Sequence, residues 1–227
     1  MNSKNLIGFA LCGFLTPVFA GDNGVHLETS QQKLSYAIGM NVAQSISRQG
    51  VDLAISTFTL GVSDALAAKT PRLSQEEIRA ALTGATTAVN DKLKARAKTN
   101  LDAGQAFLKK HKIEAGVVEL KDGLQYKVLE KGTGVQPKPE DKVVVHYEGR
   151  LINGEVFDSS RARGTPVTFP INGVIKGWQE VLPLMATGAR WKVVIPPDLA
   201  YGAQGAGASI GPNETLVFDI ELLEIKK

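Results

Sequence analysis

Gly173-Val174-Ile175-Lys176-Gly177-Trp178-Gln179-Glu180-Val181-Leu182-Pro183 is the stretch around which the C-terminal half of this chain is organised. It is short, apolar on one side, and closed by a proline that cannot continue a helix. Gly173 and Gly177 bracket the Val174-Ile175 pair, so the backbone there can bend tightly and approach another segment closely. Trp178 follows, with Val181 and Leu182 continuing its face at helical spacing. The pattern predicts one or two turns of helix pressed against a sheet, with Trp178 at the base. Trp178 alone fits a core residue as well as a pocket floor. The strand patterns on either side favour the pocket, because they bring further aromatics to it.

Upstream of this stretch the period is two. Leu124, Tyr126 and Val128 alternate, and Val143, Val145, Tyr147 and Gly149 alternate against Val144, His146, Glu148 and Arg150. Asn153-Gly154 is the signal of a two-residue hairpin, with Val156-Phe157-Asp158 as the return strand. Val167-Thr168-Phe169 is a further short strand. Downstream, Trp191, Val193 and Ile195 alternate up to Pro196-Pro197. A glycine-rich loop runs from Tyr201 to Pro212, and Leu216, Phe218, Ile220 and Leu222 share one face of a last strand. Strands joined by hairpins and loops imply an antiparallel sheet with a helix over one face, an α+β class.

The N-terminal half reads as helix. Leu34, Ile38, Val42 and Ile46 repeat at helical period and stop at Gly50. Asp52 is placed to cap a second helix carrying Ile55, Leu60, Val62 and Leu66. Two short helices cannot enclose a core of their own. A third begins at Ser74, with Glu77 three residues on as a capping box, and runs to about Lys112. At about 1.5 Å per residue it is roughly 55–60 Å long. Ile78, Leu82, Ala85, Val89, Leu93, Ala97 and Leu101 form its thin apolar stripe. Lys92, Lys94, Arg96, Lys98, Lys109, Lys110 and Lys112 fit a solvated face on a spacer helix better than an anionic docking surface.

Residues 1–20 carry a targeting signal: Lys4 before an apolar run from Leu6 to Leu15, then Pro17 and Val18-Phe19-Ala20 as a small-residue cleavage site before Gly21. The sole cysteine, Cys12, lies inside this segment, and Leu11 before it is too large for a lipoprotein site. The mature chain therefore has no disulfide, and in an oxidising compartment it has no thiol to mispair.

Five blocks carry a family resemblance. Val145-His146-Tyr147-Glu148-Gly149, Phe157-Asp158-Ser159-Ser160, Val174-Ile175-Lys176-Gly177-Trp178, Ala200-Tyr201-Gly202 and Leu216-Val217-Phe218 come in the order and spacing of an FKBP domain. FKBP domains are the FK506-binding peptidyl-prolyl cis/trans isomerases. The match covers about Gly123 to Lys227. The earlier part resembles the helical N-terminal domain of exported bacterial members, above all the Mip (macrophage infectivity potentiator) type.

The resemblance implies an FKBP-type antiparallel sheet wrapped around the short helix, joined by the long helix to an all-α dimerisation domain. The expected division is a signal peptide over 1–20, helical arms over 21–73, the connecting helix over 74–118 and the isomerase domain over 119–227. It implies a homodimer through the arms, binding of proline-containing unfolded chains or peptides and of FK506- or rapamycin-type macrolides, and no cofactor. It also implies a periplasmic or cell-surface location, with association at the outer-membrane surface one form of it.

The chemistry itself is legible in the residues. Rotation about an X-Pro bond crosses a barrier near 20 kcal/mol and takes tens of seconds or more unaided. Nothing is made or broken, so no nucleophile is needed. The planar amide is the more dipolar state, and an apolar pocket favours twisting relative to water. Tyr147, Phe157, Trp178 and Phe218 are suitable walls, with Val174 and Ile175 as an aliphatic edge. By resemblance the proline ring sits on Trp178, and the Ile175 N–H and the Tyr201 hydroxyl hold substrate carbonyls. Asp158 sits beside the rotating carbonyl and orients Tyr147 and Arg163. Arg163, Val167 and Ile210 complete the expected substrate-binding set. Val167, Ala206 and Ser209 stand where a well-known member has an aromatic, a histidine and an isoleucine.

Other classes fit less well. Gly207-Ala208-Ser209-Ile210-Gly211 matches a hydrolase nucleophile elbow, but Pro212 follows at once and no histidine lies beyond His146. No Gly-Lys-Ser/Thr follows the glycines, so they are no phosphate loop. His26, His111 and His146 are far apart and lack metal-ligand spacing. A formal net charge of +3 does not point to nucleic acid. The competing reading is a dimeric chaperone or surface adhesin that holds peptide, with isomerisation secondary.

Overall fold

The computed structural model describes residues 27–226. The targeting segment read over 1–20 lies outside the described residues. The chain divides into two compact units between Gln49 and Gly50. The described part of the first is helix α1 (Ser30–Arg48). Its start is set by a capping box: the Thr29 hydroxyl accepts from the Gln32 N–H, and the Gln32 side chain accepts from the Thr29 N–H. Leu34, Ile38, Met40 and Val42 are all exposed on it.

The second unit begins with α2 (Ile55–Leu66). The cap expected from Asp52 is not made. Ala54 takes the N-cap position without a side-chain bond, because the helix starts later than the first acidic residue suggested. Helix α3 spans Gln75–Lys112, and its capping box between Ser74 and Glu77 is formed as expected. Lys109, Lys110 and Lys112 sit in its last turn, where positive charge meets the unpaired carbonyls.

The lysine face of α3 is solvated as expected, yet the helix is not clear of the sheet domain. The end of its apolar stripe, continued by Gly104, Phe107, Leu108 and His111, packs on that domain. Gly104 and His111 are buried there. His111 Nδ1 lies 2.9 Å from Gln125 Oε1, and Gln125 Nε2 donates to Leu108 O at 3.0 Å. Ala97, Leu101, Phe107 and Leu108 are half-buried around these contacts, and Ala97 and Leu101 are the last members of the apolar stripe read in the sequence. No helix among the described residues is long and apolar enough to cross a membrane.

Seven strands follow: β1 (Val117–Glu119), β2 (Gln125–Lys131), β3 (Lys142–Leu151), β4 (Val156–Ser159), β5 (Val167–Pro170), β6 (Ala189–Ile195) and β7 (Leu216–Lys226). They form one antiparallel sheet in the order β1-β2-β6-β7-β3-β4. β3 pairs with β5 along its first half and with β4 along its second. The β3–β4 connection is not the expected two-residue turn. The Leu151 N–H donates to Glu155 O and the Gly154 N–H to Leu151 O, so three residues form the loop. Gly154 alone takes a positive φ, +92°, while Asn153 uses its side chain to accept from the Glu155 N–H.

Helix α4 (Lys176–Val181) lies across the concave face. Trp178, Val181 and Leu182 from it and its continuation meet Val145 and Tyr147 of β3, Val193 and Ile195 of β6, and Phe218 and Ile220 of β7. Each such side chain contributes about 1.5–3 kcal/mol when fully buried. Gly177 permits this packing: a Cβ there would lie 2.6 Å from Ile195 Cγ2. The architecture is the α+β arrangement read from the sequence: helices first, then an antiparallel sheet curled round one short helix.

Candidate active site

The sheet and α4 enclose a cavity of about 440 Å³, lined by Tyr147, Phe157, Asp158, Phe169, Gly173, Val174, Ile175, Trp178, Tyr201 and Phe218. Trp178, in the first turn of α4, is 4% exposed and forms the floor. Three rings stand nearly perpendicular to its indole. Tyr147 is at 5.4 Å and 84°, Phe169 at 5.8 Å and 88°, and Phe218 at 5.3 Å and 81°. Edge-to-face contacts of this kind contribute about 0.5–1.5 kcal/mol each beyond their burial. Phe157 extends the wall, at 5.6 Å and 85° to Phe218. Gly149 on β3 makes room for both phenylalanines: a Cβ there would sit 2.5 Å from Phe157 and 2.8 Å from Phe218.

One edge of this aromatic box is polar. The Tyr147 hydroxyl donates to Asp158 Oδ2, and Arg163 Nη1 donates to Asp158 Oδ1. Arg163 Nη2 also donates to the Tyr147 oxygen at 3.1 Å. Burial pushes the Asp158 carboxyl up, but the hydrogen bonds from Tyr147 and Arg163 outweigh it and hold the group below the usual carboxylate range. The Tyr147 phenol is pushed up, first by burial and then by its bond to Asp158. The Tyr201 phenol is also pushed up, by burial and by the charge of Asp158. Both phenols are therefore held as donors. On the opposite edge, Gln179 Nε2 donates to Val174 O at 2.7 Å and fixes the segment that enters α4.

Of the residues singled out in the sequence, Tyr147, Phe157, Asp158, Val174, Ile175, Trp178, Tyr201 and Phe218 meet in this cavity, and Arg163 reaches it through Asp158. Val167 and Ile210 are not among the lining residues. Val167 pairs with Val145 and packs partly buried on the core, and Ile210 is buried in the core cluster beside its bridge to Ala206. Phe169 and Gly173 line the cavity and were missed as site residues. Phe169 shares a strand face with Val167, so the two-residue period would have found it.

The comparisons agree with this fold. A family model described as FKBP-type peptidyl-prolyl cis-trans isomerase matches residues 133–223, and one described as the domain amino-terminal to it matches residues 31–128. The chain is 45% identical to peptidyl-prolyl cis-trans isomerase Mip of Coxiella burnetii, covering 88% of this chain and 89% of that protein. It is 38% identical to outer membrane protein MIP of Legionella longbeachae, covering 98% and 97%. The crystal structure of FkpA from Escherichia coli superposes with a TM-score of 0.65 at 38% identity, covering 88% of this chain and 98% of that one. The chain belongs to the FKBP-type peptidyl-prolyl cis-trans isomerases. Within them its two-part match and its relatives put it with the Mip-like members.

Proposed function

We propose that this isomerase turns X-Pro bonds in the cavity above Trp178, with the roles divided as follows. The proline ring lies on the indole, between the edges of Tyr147, Phe169 and Phe218. The Ile175 N–H and the Tyr201 hydroxyl hold flanking carbonyls of the substrate. Asp158, kept ionised, faces the carbonyl that rotates. In the planar amide that oxygen carries the larger negative charge, so a neighbouring carboxylate repels the ground state more than the twisted state. The water-poor walls act in the same direction. Each 1.4 kcal/mol of such differential interaction is about tenfold in rate. The observation that carries the reading is the three rings set perpendicular to one buried indole, with a hydrogen-bonded Tyr147–Asp158–Arg163 edge. A protease-coupled assay on a short X-Pro peptide tests it. The chain accelerates isomerisation and an FK506-type macrolide abolishes the effect; a rate equal to the uncatalysed one refutes it.

The same reading extends to the arms. The exposed apolar residues of α1, and the cavity of about 450 Å³ that α2, the connection after it and the start of α3 line with Leu60, Leu73 and Ile78, support a self-complementary homodimer. In it, residues 21–73 form the interface, 74–118 the connecting helix and 119–227 the isomerase domain. The substrates are proline-containing unfolded chains in the bacterial envelope, in the periplasm or at the cell surface. Export rests on residues 1–20. Mass spectrometry of envelope-purified protein tests it, with a mature start near Gly21 expected and a mass retaining Cys12 against it.

A further inference from the structure

The loop that carries Tyr201 into the cavity wall is fastened from behind by α3. Asn100 Nδ2 donates to Pro212 O at 2.8 Å, and Asn213 Nδ2 donates back to Ala97 O at 3.4 Å. The backbone N–H of Asn213 in turn donates to Gly202 O at 2.8 Å. Gly202 directly follows Tyr201. Two hydrogen bonds and the short turn between them therefore connect the helix to the cavity wall. Asn213 takes φ +54°, a left-handed conformation that asparagine tolerates better than most residues.

Two close approaches make the fastening rigid. A Cβ on Gly104 would lie 2.2 Å from Thr215 Oγ1, so glycine lets the helix backbone settle on the loop's end. Glu214, only 9% exposed, has the Arg96 guanidinium as its ion-pair partner at 3.6 Å. The same guanidinium covers Gly211, where a Cβ would meet it at 2.7 Å. Thr215 leads straight into β7, which carries Phe218. The helix therefore holds the C-terminal end of this loop, residues 211–215, directly and reaches Gly202, next to Tyr201, through Asn213. A hydrogen-bonding group must be held to about 0.5 Å to act on a substrate.

We propose that residues 96–104 of α3 belong to the catalytic apparatus, with Asn100 a positioning residue that sets Tyr201 in the wall of the cavity. The helix that joins the arms to the isomerase domain thereby also sets the turnover of the site. The proposal rests on the reading of the cavity as the isomerase site.

The test uses the full mature chain, residues 21–227, as Asn100→Ala, Tyr201→Phe and the double variant, in the protease-coupled assay on one short X-Pro peptide. Asn100→Ala is expected to lower kcat/KM about three- to tenfold. The double variant is expected to be no worse than Tyr201→Phe alone, because the brace then has no hydroxyl left to position. A merely structural role of Asn100 would make the two losses multiply, and that result overturns the proposal. So does Asn100→Ala at the wild-type rate while Tyr201→Phe is slowed; α3 is then a tether only. If Tyr201→Phe is itself silent, Tyr201 is no site residue, and the proposal fails together with that part of the site reading.

Discussion

The Tyr147 hydroxyl donates its hydrogen bond to Asp158 Oδ2, leaving the carboxylate's other oxygen to Arg163. Burial alone would raise the Asp158 pKa, and these two donors reverse that. A folded-state value below the unfolded one, about 3.9, means the stability it contributes is complete above the unfolded value. That contribution is lost as pH falls through the folded value. Activity is therefore flat from neutral pH into mild acid and declines only in stronger acid. Tyr147→Phe removes one donor, so the acid limb moves up toward the unfolded value and kcat/KM drops about tenfold. Profiles of kcat/KM against pH for both proteins check this; superimposable acid limbs would refute it.

Gly177→Ala should be costly for a residue that gains one methyl group. Its Cβ meets Ile195 at 2.6 Å, and Trp178 is the next residue in the chain. Overpacking of this kind costs about 1–3 kcal/mol. Thermal denaturation should show a lowered midpoint, together with weaker binding of an X-Pro peptide. An unchanged midpoint would mean that α4 does not rest on β6 as described.

Leu34→Glu with Ile38→Glu places two charges on the exposed apolar face of α1. Light scattering should report a dimer for the unmodified mature chain and a monomer for this variant. The variant keeps its rate on a short peptide but loses much of its effect on a refolding protein client, because two linked sites raise each other's effective concentration. An unmodified chain that scatters as a monomer would show that the arms serve another purpose.

The strands were legible because apolar residues alternate along them toward the core. Val143, Val145 and Tyr147 face the core from β3, and Leu216, Phe218, Ile220 and Leu222 face it from β7. The α3 start was legible because a capping box is a local device. What escaped depends on neighbours distant in sequence. Asn153-Gly154 suggests one turn type, yet the register of β3 on β4 selects a three-residue loop. Asn100 and Gly104 look like solvent-facing helix residues until the loop from 201 to 215 is packed on them. Val167 and Phe169 share one strand face, and sequence alone does not say which of them the curl of the sheet brings to the cavity; it is Phe169.

The central claim is that X-Pro rotation occurs against the ionised Asp158 at the edge of the Trp178 box. The most direct measurement compares the mature chain with Asp158→Leu in the protease-coupled assay, with thermal midpoints recorded on the same samples. Asp158 is partly exposed and at a cavity edge, so the fold should survive the change. The account predicts a loss of kcat/KM of about tenfold or more, with a modest fall in midpoint that leaves the protein folded under assay conditions. Full activity of folded Asp158→Leu would contradict it.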